Sequence, residues 1–236
     1  MIEVFRVEDL SLILEGQEIL KAVSFSVREG ELIALVGGNG AGKTTLLKAL
    51  MGQLKPSQGR VLFRGRPAVS WGDSIFEDLG VVLQNPDHQL FSFSVKEEIE
   101  FVQRNFGKKG DAGALLEKFK FSRFADRVPF FLSEGEKKKL CIISILAHDP
   151  PVFLFDEPFA LLDWGEKENI LALILELNGR GKTILVVTHD LFLIEKFPRA
   201  LALEDGRLVA DGKVAEAFRE LGVRVKGDDF EGSLSV

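Results

Sequence analysis

The 236-residue chain has one cysteine, no tyrosine and three histidines, and its 36 acidic residues outnumber 30 basic ones. Each shortage closes off a class of protein. A lone Cys141 cannot form an internal disulfide, and no Cys/His cluster has the spacing of a metal centre. A reducing, cytosolic compartment is expected. The net charge of −6 leaves no basic footprint, so nucleic acid is not an expected partner. No run reaches the roughly 18 apolar residues a membrane span needs. The opening Met1-Ile2-Glu3-Val4-Phe5-Arg6 also lacks the form of a signal peptide. Any membrane association is expected to come through a partner.

Hydrophobic residues make up 46% of the chain, enough to bury the core of one large α/β domain. Its densest signal is Gly37-Gly38-Asn39-Gly40-Ala41-Gly42-Lys43-Thr44, a match to GxxxxGK(S/T) followed by Thr45. In such a loop backbone N–H groups wrap a β-phosphate, the lysine reaches the β- and γ-oxygens, and the threonine hydroxyl is left for Mg²⁺. The flanks agree. Glu31 to Val36 reads as a buried strand, and Thr44 to Met51 as a helix closed by Gly52, whose N-terminus adds partial positive charge.

Residues 3 to 27 alternate apolar and polar around Glu15-Gly16-Gln17, which predicts an antiparallel hairpin. Short strands are expected at Arg60 to Phe63 and Leu79 to Leu83, the latter running into Gln84. Val95 to about Ala147 reads as helical, a subdomain inserted at about 90–150. Strands follow at Val152 to Phe155 and Thr183 to Val187, with a helix at Trp164 to Leu177 between them. A hairpin at Leu201 to Val209 turns on Asp205-Gly206, and the tail over 221–236 reads as loose from Gly227.

Asp156-Glu157 follows the first of these late strands and His189 the second. Parallel sheets bind ligands beyond their strand carboxyl ends, so phosphate loop, carboxylates and histidine are expected around one nucleotide. Asp156 suits Mg²⁺ through water, and Glu157 suits orienting or deprotonating the attacking water of ATP hydrolysis. Lys137-Lys138-Lys139 reads as a solvated helix face.

Leu132-Ser133-Glu134-Gly135-Glu136 stands where the nucleotide-binding subunits of ABC transporters carry LSGGQ. The sequence resembles that family from Val4 to about Phe218, with the phosphate loop, Gln84, this signature, Asp156-Glu157, Leu161-Leu162-Asp163 and His189 in the family's order. The resemblance implies a P-loop ABC ATPase fold over 1–220: a mixed-sheet core, an N-terminal antiparallel β subdomain and the helical insertion. It further implies that Gln84 links the Mg²⁺ site to a membrane partner and that His189 contacts the γ-phosphate. Ser133, Gly135 and Glu136 would contact ATP held by a second ATPase subunit, with Asp163 at the subunit interface. Ser133-x-x-Glu136 is equally a capping box that opens a helix, and both readings can hold.

A finer resemblance lies in Gln84-Asn85-Pro86-Asp87-His88-Gln89-Leu90-Phe91. It is similar to the CbiO-like ATPases of energy-coupling factor (ECF) importers for vitamins and for cobalt or nickel. There the segment docks on an integral coupling subunit at the cytoplasmic face of the membrane. The alternative is that Leu90, Phe91 and Phe93 are ordinary core. Two departures stand out. Leu14 falls where the family usually stacks an aromatic on adenine, and Glu134 and Glu136 add carboxylates where glycine and glutamine are usual. Negative charge near a γ-phosphate should weaken closure, so a heterodimer with two unequal sites is expected over a homodimer. A soluble ABC ATPase of DNA repair or translation, or a degenerate regulatory subunit, are the rival readings.

Overall fold

Glu15 and Gly16 both take positive φ, 50° and 81°, which gives the first hairpin the turn whose twist matches its strands. This computed structural model describes residues 2–222, so the loose tail expected from Gly227 lies outside the described residues. In chain order the strands are β1 (Glu3–Leu14), β2 (Gln17–Arg28), β3 (Leu32–Val36), β4 (Gln58–Phe63), β5 (Arg66–Pro67), β6 (Leu79–Val82), β7 (Val152–Asp156), β8 (Thr183–Val187), β9 (Arg199–Glu204) and β10 (Arg207–Gly212). The α-helices are α1 (Lys43–Leu50), α2 (Val95–Asn105), α3 (Ala112–Lys118), α4 (Glu134–Leu146), α5 (Trp164–Gly179) and α6 (Val214–Glu220). Short 3₁₀ turns at Ala68–Ser70, Gly72–Glu77 and Leu193–Lys196, and α6 itself, carry no strong period and go unread in the sequence. The residues form two compact units, one running to Ser70 and resuming at Leu185, the other Trp71–Ile184.

In the first unit an antiparallel sheet runs β2-β1-β4-β5, with Phe5 of β1 opposite Phe63 of β4 and their ring centroids 5.0 Å apart. A second sheet is mixed: β3 lies parallel to β9, and β9 antiparallel to β10. All five residues of β3 are buried, which is why the strand reads as an unbroken apolar run rather than an alternating one. Each fully buried Val, Leu or Ile of this kind contributes about 1.5–3 kcal/mol. The β9–β10 turn, Asp205 at φ 45° and Gly206 at φ 79°, does more than reverse the chain. The Gly206 N–H donates to the Ala41 carbonyl at 3.2 Å and its own carbonyl accepts from Lys21 N–H at 2.8 Å. A Cβ there would stand 2.2 Å from the Ile19 carbonyl oxygen, so only glycine allows the turn to clamp the phosphate loop.

In the second unit β6 and β7 pair in parallel, Leu79 beside Val152 through Val82 beside Phe155. Its helices α2, α3 and α4 close on one apolar cluster that includes Val95, Ile99, Leu116, Phe121, Leu140 and Ile143. The expected helical stretch is thus three helices with 3₁₀ turns at Ser122–Phe124 and Pro129–Phe131. Ser94 caps α2 through the Glu97 N–H, and Asp111 caps α3 through Gly113 and Ala114.

His148 sits behind this cluster, stacked on Phe106 at 3.9 Å, with Nε2 2.9 Å from the Phe76 carbonyl oxygen. A carbonyl only accepts, so Nε2 carries the proton of the neutral ring. Burial pushes its pKa below the ordinary 6.5. The folded chain therefore resists a proton that the unfolded chain accepts, and the stability this gives is complete above about pH 6.5 and lost as pH falls through the lowered folded value. The unfolding midpoint should drop between pH 7 and pH 5, and His148→Leu should flatten that part of the curve. An equally steep profile in the variant would refute the assignment.

Candidate functional site

Gly42 precedes α1 at φ 100° and offers no side-chain cap, so the helix N-terminus opens directly onto the phosphate loop. Gly37 has φ 155°, and a Cβ there would meet the Leu203 carbonyl oxygen at 2.2 Å. Lys43 is buried, and its Nζ donates to the carbonyls of Gly37 at 2.8 Å and Gly38 at 2.9 Å. The ammonium thereby folds the loop over itself. Thr44 is exposed and Thr45 half-buried on the first turn of α1.

β8 carries the chain to His189. The Thr188 N–H donates to the Leu35 carbonyl at 3.1 Å, and the Thr188 hydroxyl accepts from the Asp190 N–H at 3.0 Å. His189 then lines a cleft of about 370 Å³ together with Gly37, Gly38, Asn39, Ala41, Glu204 and Asp205. The structure therefore brings the expected histidine to the expected loop. Leu14 closes β1 half-buried beside an exposed Ile13, and neither offers a ring.

In the second unit Gln84 is exposed just beyond β6, whose end is tied off by a different glutamine. Gln89 accepts from the Leu83 N–H and donates to the Val81 carbonyl, both at 2.8 Å. Asn85 caps the 3₁₀ turn Pro86–His88 through the Asp87 N–H. Glu98, buried on α2, accepts from the Phe91 and Ser92 N–H groups at 3.1 and 3.0 Å. This fixes a loop on which Phe91 is 62% and Phe93 85% exposed, while Leu90 packs against the helical cluster. Of the two readings of this segment, core holds for Leu90 alone.

Asp156 ends β7 buried, and Glu157 follows buried with φ 48°, a region that non-glycine residues rarely enter. Ser133 caps α4 with a complete capping box: its N–H donates to Glu136 Oε2 at 2.9 Å, and its hydroxyl accepts from the Glu136 N–H at 3.3 Å. Asp163 and Glu166 build a second box at the start of α5. Gly135 lies against that box, since a Cβ on it would meet Glu166 Oε1 at 2.2 Å. Asp163 is exposed, flanked by Leu161 at 86% and Trp164 at 57% exposure.

The lysine run departs from expectation. Lys137 and Lys138 are buried and only Lys139 is partly open. Lys137 bridges Asp87 at 2.7 Å and Glu134 at 3.3 Å, and the Asp87 hydrogen bond holds its ammonium protonated above the usual range. Lys138 Nζ reaches the Glu157 carbonyl at 3.2 Å and the Ala160 carbonyl at 2.5 Å. Partners 50 and 22 residues away cannot be read from a local charge run. The extra carboxylate at Glu134 thus shares a cation with Asp87, while that at Glu136 closes the cap.

In the first unit Thr44 offers a hydroxyl oxygen on the first turn of α1; in the second, Asp156 ends β7 with a carboxylate and Gln84 follows β6 with an amide oxygen. Among the described residues no group of three or more His, Cys, Asp or Glu could hold a metal ion, and no helix is long and apolar enough to cross a membrane.

The ABC transporter family model matches residues 20–160. The energy-coupling factor transporter ATP-binding protein EcfA of Methanothermobacter thermautotrophicus is 37% identical over 215 residues, covering 87% of this chain and 69% of that protein. The putative HMP/thiamine import ATP-binding protein YkoD of Bacillus subtilis is 36% identical, covering 92% of this chain and 40% of that protein. Other curated relatives are also longer, this chain spanning 38% and 34% of two of them. CbiO1 of Clostridium perfringens, described as part of the ABC transporter complex cbiONQ, superposes with a TM-score of 0.82 at 32% identity over 93% of this chain and 92% of its own. The chain belongs to the ABC transporter family as an ATP-binding, ATP-hydrolysing domain of the energy-coupling factor type.

Proposed function

We propose that the chain energises import of a vitamin or a transition-metal ion by docking, through Gln84 to Phe91 and the adjoining Phe93, on an integral coupling subunit at the cytoplasmic face of the membrane. The observation that carries this reading is the pair of exposed rings, Phe91 and Phe93, on a loop pinned by the buried Glu98. Large apolar side chains presented together on a rigid loop suit a protein partner better than water. The relatives' names point the same way, one to HMP/thiamine import and one to the complex cbiONQ.

Phosphate loop and Asp156-Glu157 serve one nucleotide in this proposal. Lys43 and the loop N–H groups hold the β- and γ-phosphates, His189 contacts the γ-phosphate, and Glu157 orients or deprotonates the attacking water. Thr44, Asp156 and Gln84 would hold Mg²⁺, which when bound neutralises phosphate charge. Adenine packs on the aliphatic Leu14 without a stacking contribution. Ser133, Gly135 and Glu136 present the capped N-terminus of α4 to ATP on a second ATPase subunit, and the exposed Leu161, Asp163 and Trp164 suit that interface. Lys137 pairs with Glu134 and Glu136 closes the cap, which offsets the charge that would otherwise favour a different ATPase over a second copy as the partner.

Exchanging both Phe91 and Phe93 for Ser should leave ATP binding intact and lower the yield of integral membrane protein that co-purifies with the chain at least tenfold. Undiminished co-purification would refute docking at this loop.

A further inference from the structure

The segment from Glu157 to Leu161 holds two non-glycine residues in the left-handed region, Glu157 at φ 48° and Leu161 at φ 63°. Such residues cost on the order of 1–3 kcal/mol each and persist only where their surroundings hold them. Groups packed and bonded around it hold this turn. Phe159 is buried between the two strained positions, and a single ammonium, Lys138 Nζ, donates to the carbonyls at both ends of the turn, Glu157 and Ala160. The Ala160 N–H also closes back onto the Glu157 carbonyl at 3.2 Å.

Lys138 is only 1% exposed. Placing a lysine there is costly, because burial disfavours its charged form and pushes its pKa below the ordinary value, with Glu134 and Glu157 acting against that shift. A methionine of similar length would fill the same space without that penalty. What it could not do is bond two backbone oxygens at once.

We infer that Lys138 is a positioning residue for hydrolysis: from the signature helix α4 it fixes the backbone that aims the Glu157 carboxylate. The inference rests on the proposed role of Glu157 as the base. It also gives the signature helix a hold on the hydrolytic carboxylate of its own chain, so that movement of α4 and orientation of Glu157 are mechanically joined. The contact spans 19 residues of sequence and is independent of the Lys137 bridge to Asp87.

The test compares ATP turnover by the parent, Lys138→Met, Lys138→Gln and Glu157→Gln, each purified with its accompanying subunits. Lys138→Met should lower kcat tenfold or more while the KM for ATP stays within threefold, and Lys138→Gln, which retains an N–H donor, should regain part of that loss. A parental kcat in Lys138→Met overturns the inference, and so does a KM that rises in step with the fall in kcat, the mark of general damage. Should Lys138→Met fail to fold, Lys138→Gln decides: a threefold or larger fall in kcat at unchanged KM supports the role, and a parental kcat overturns it. If Glu157→Gln itself turns over at the parental rate, the role of Glu157 falls and the inference with it. If only the Lys138 variants keep the parental rate, the inference alone is lost.

Discussion

Glu157→Gln should abolish ATP turnover, by a factor on the order of 10²–10⁴, while nucleotide still binds. The substitution changes one oxygen to an amide nitrogen, so volume, the left-handed backbone and the bond from Lys138 to the Glu157 carbonyl are all kept. What is removed is the group able to take a proton from water. Phosphate release at saturating Mg-ATP, read beside a nucleotide titration, separates the two steps. Turnover within threefold of the parent would show that another group activates the water. Made separately in this chain and in any different ATPase subunit purified with it, the same exchange tests asymmetry. Equal loss from either subunit would count against two unequal sites.

Lys43→Ala should remove binding itself. The ammonium has two duties in one place: it bridges the Gly37 and Gly38 carbonyls in the loop, and it is the charge proposed to meet the phosphates. Hydrogen bonds to charged groups are worth about 1.5–3 kcal/mol each, so losing two that this ammonium is proposed to make to phosphate oxygens raises the Kd for Mg-ATP about 10²-fold or more. Calorimetric titration reads this directly. The rest of the unit should survive, because the β3 core, the Gly206 clamp on Ala41 and the apolar face of α1 do not depend on the ammonium. An unchanged Kd would mean that the Gly37 to Thr44 loop is not the phosphate site.

Both predictions lean on features that are legible in the residue order, and it is instructive which features are. The first hairpin, the Asp205-Gly206 turn and the capping box at Ser133 and Glu136 are each set by a few neighbouring residues whose backbone preferences have one good solution. The apolar runs of β3, β7 and β8 are legible because burial on both faces leaves no room for alternation. The exposure of Phe91 and Phe93 was open in the sequence, since a phenylalanine reads alike in a core and at an interface. It took Glu98, gripping two N–H groups of the loop, to decide it.

The lysines mark the limit. Three in a row on a helix read as a face turned to water, because local sequence prices the desolvation of an ammonium but cannot see its compensation. Asp87, Glu134 and the carbonyls of Glu157 and Ala160 supply that compensation from other elements. Gln89 is silent in the sequence for the same reason: its two bonds to the β6 end exist only once the loop has folded back on the strand.

By itself the sequence determined the phosphate loop, the order of the chemical groups along the chain and the family to which they belong, since these depend on residues adjacent in the chain and on backbone geometries that few residues can adopt. Only the tertiary structure decided which charges are buried, which aromatic rings are exposed and what holds Glu157 in its strained turn. Those outcomes turn on whether a polar atom leaving water finds another to bond, and the chain must fold before that other atom is near.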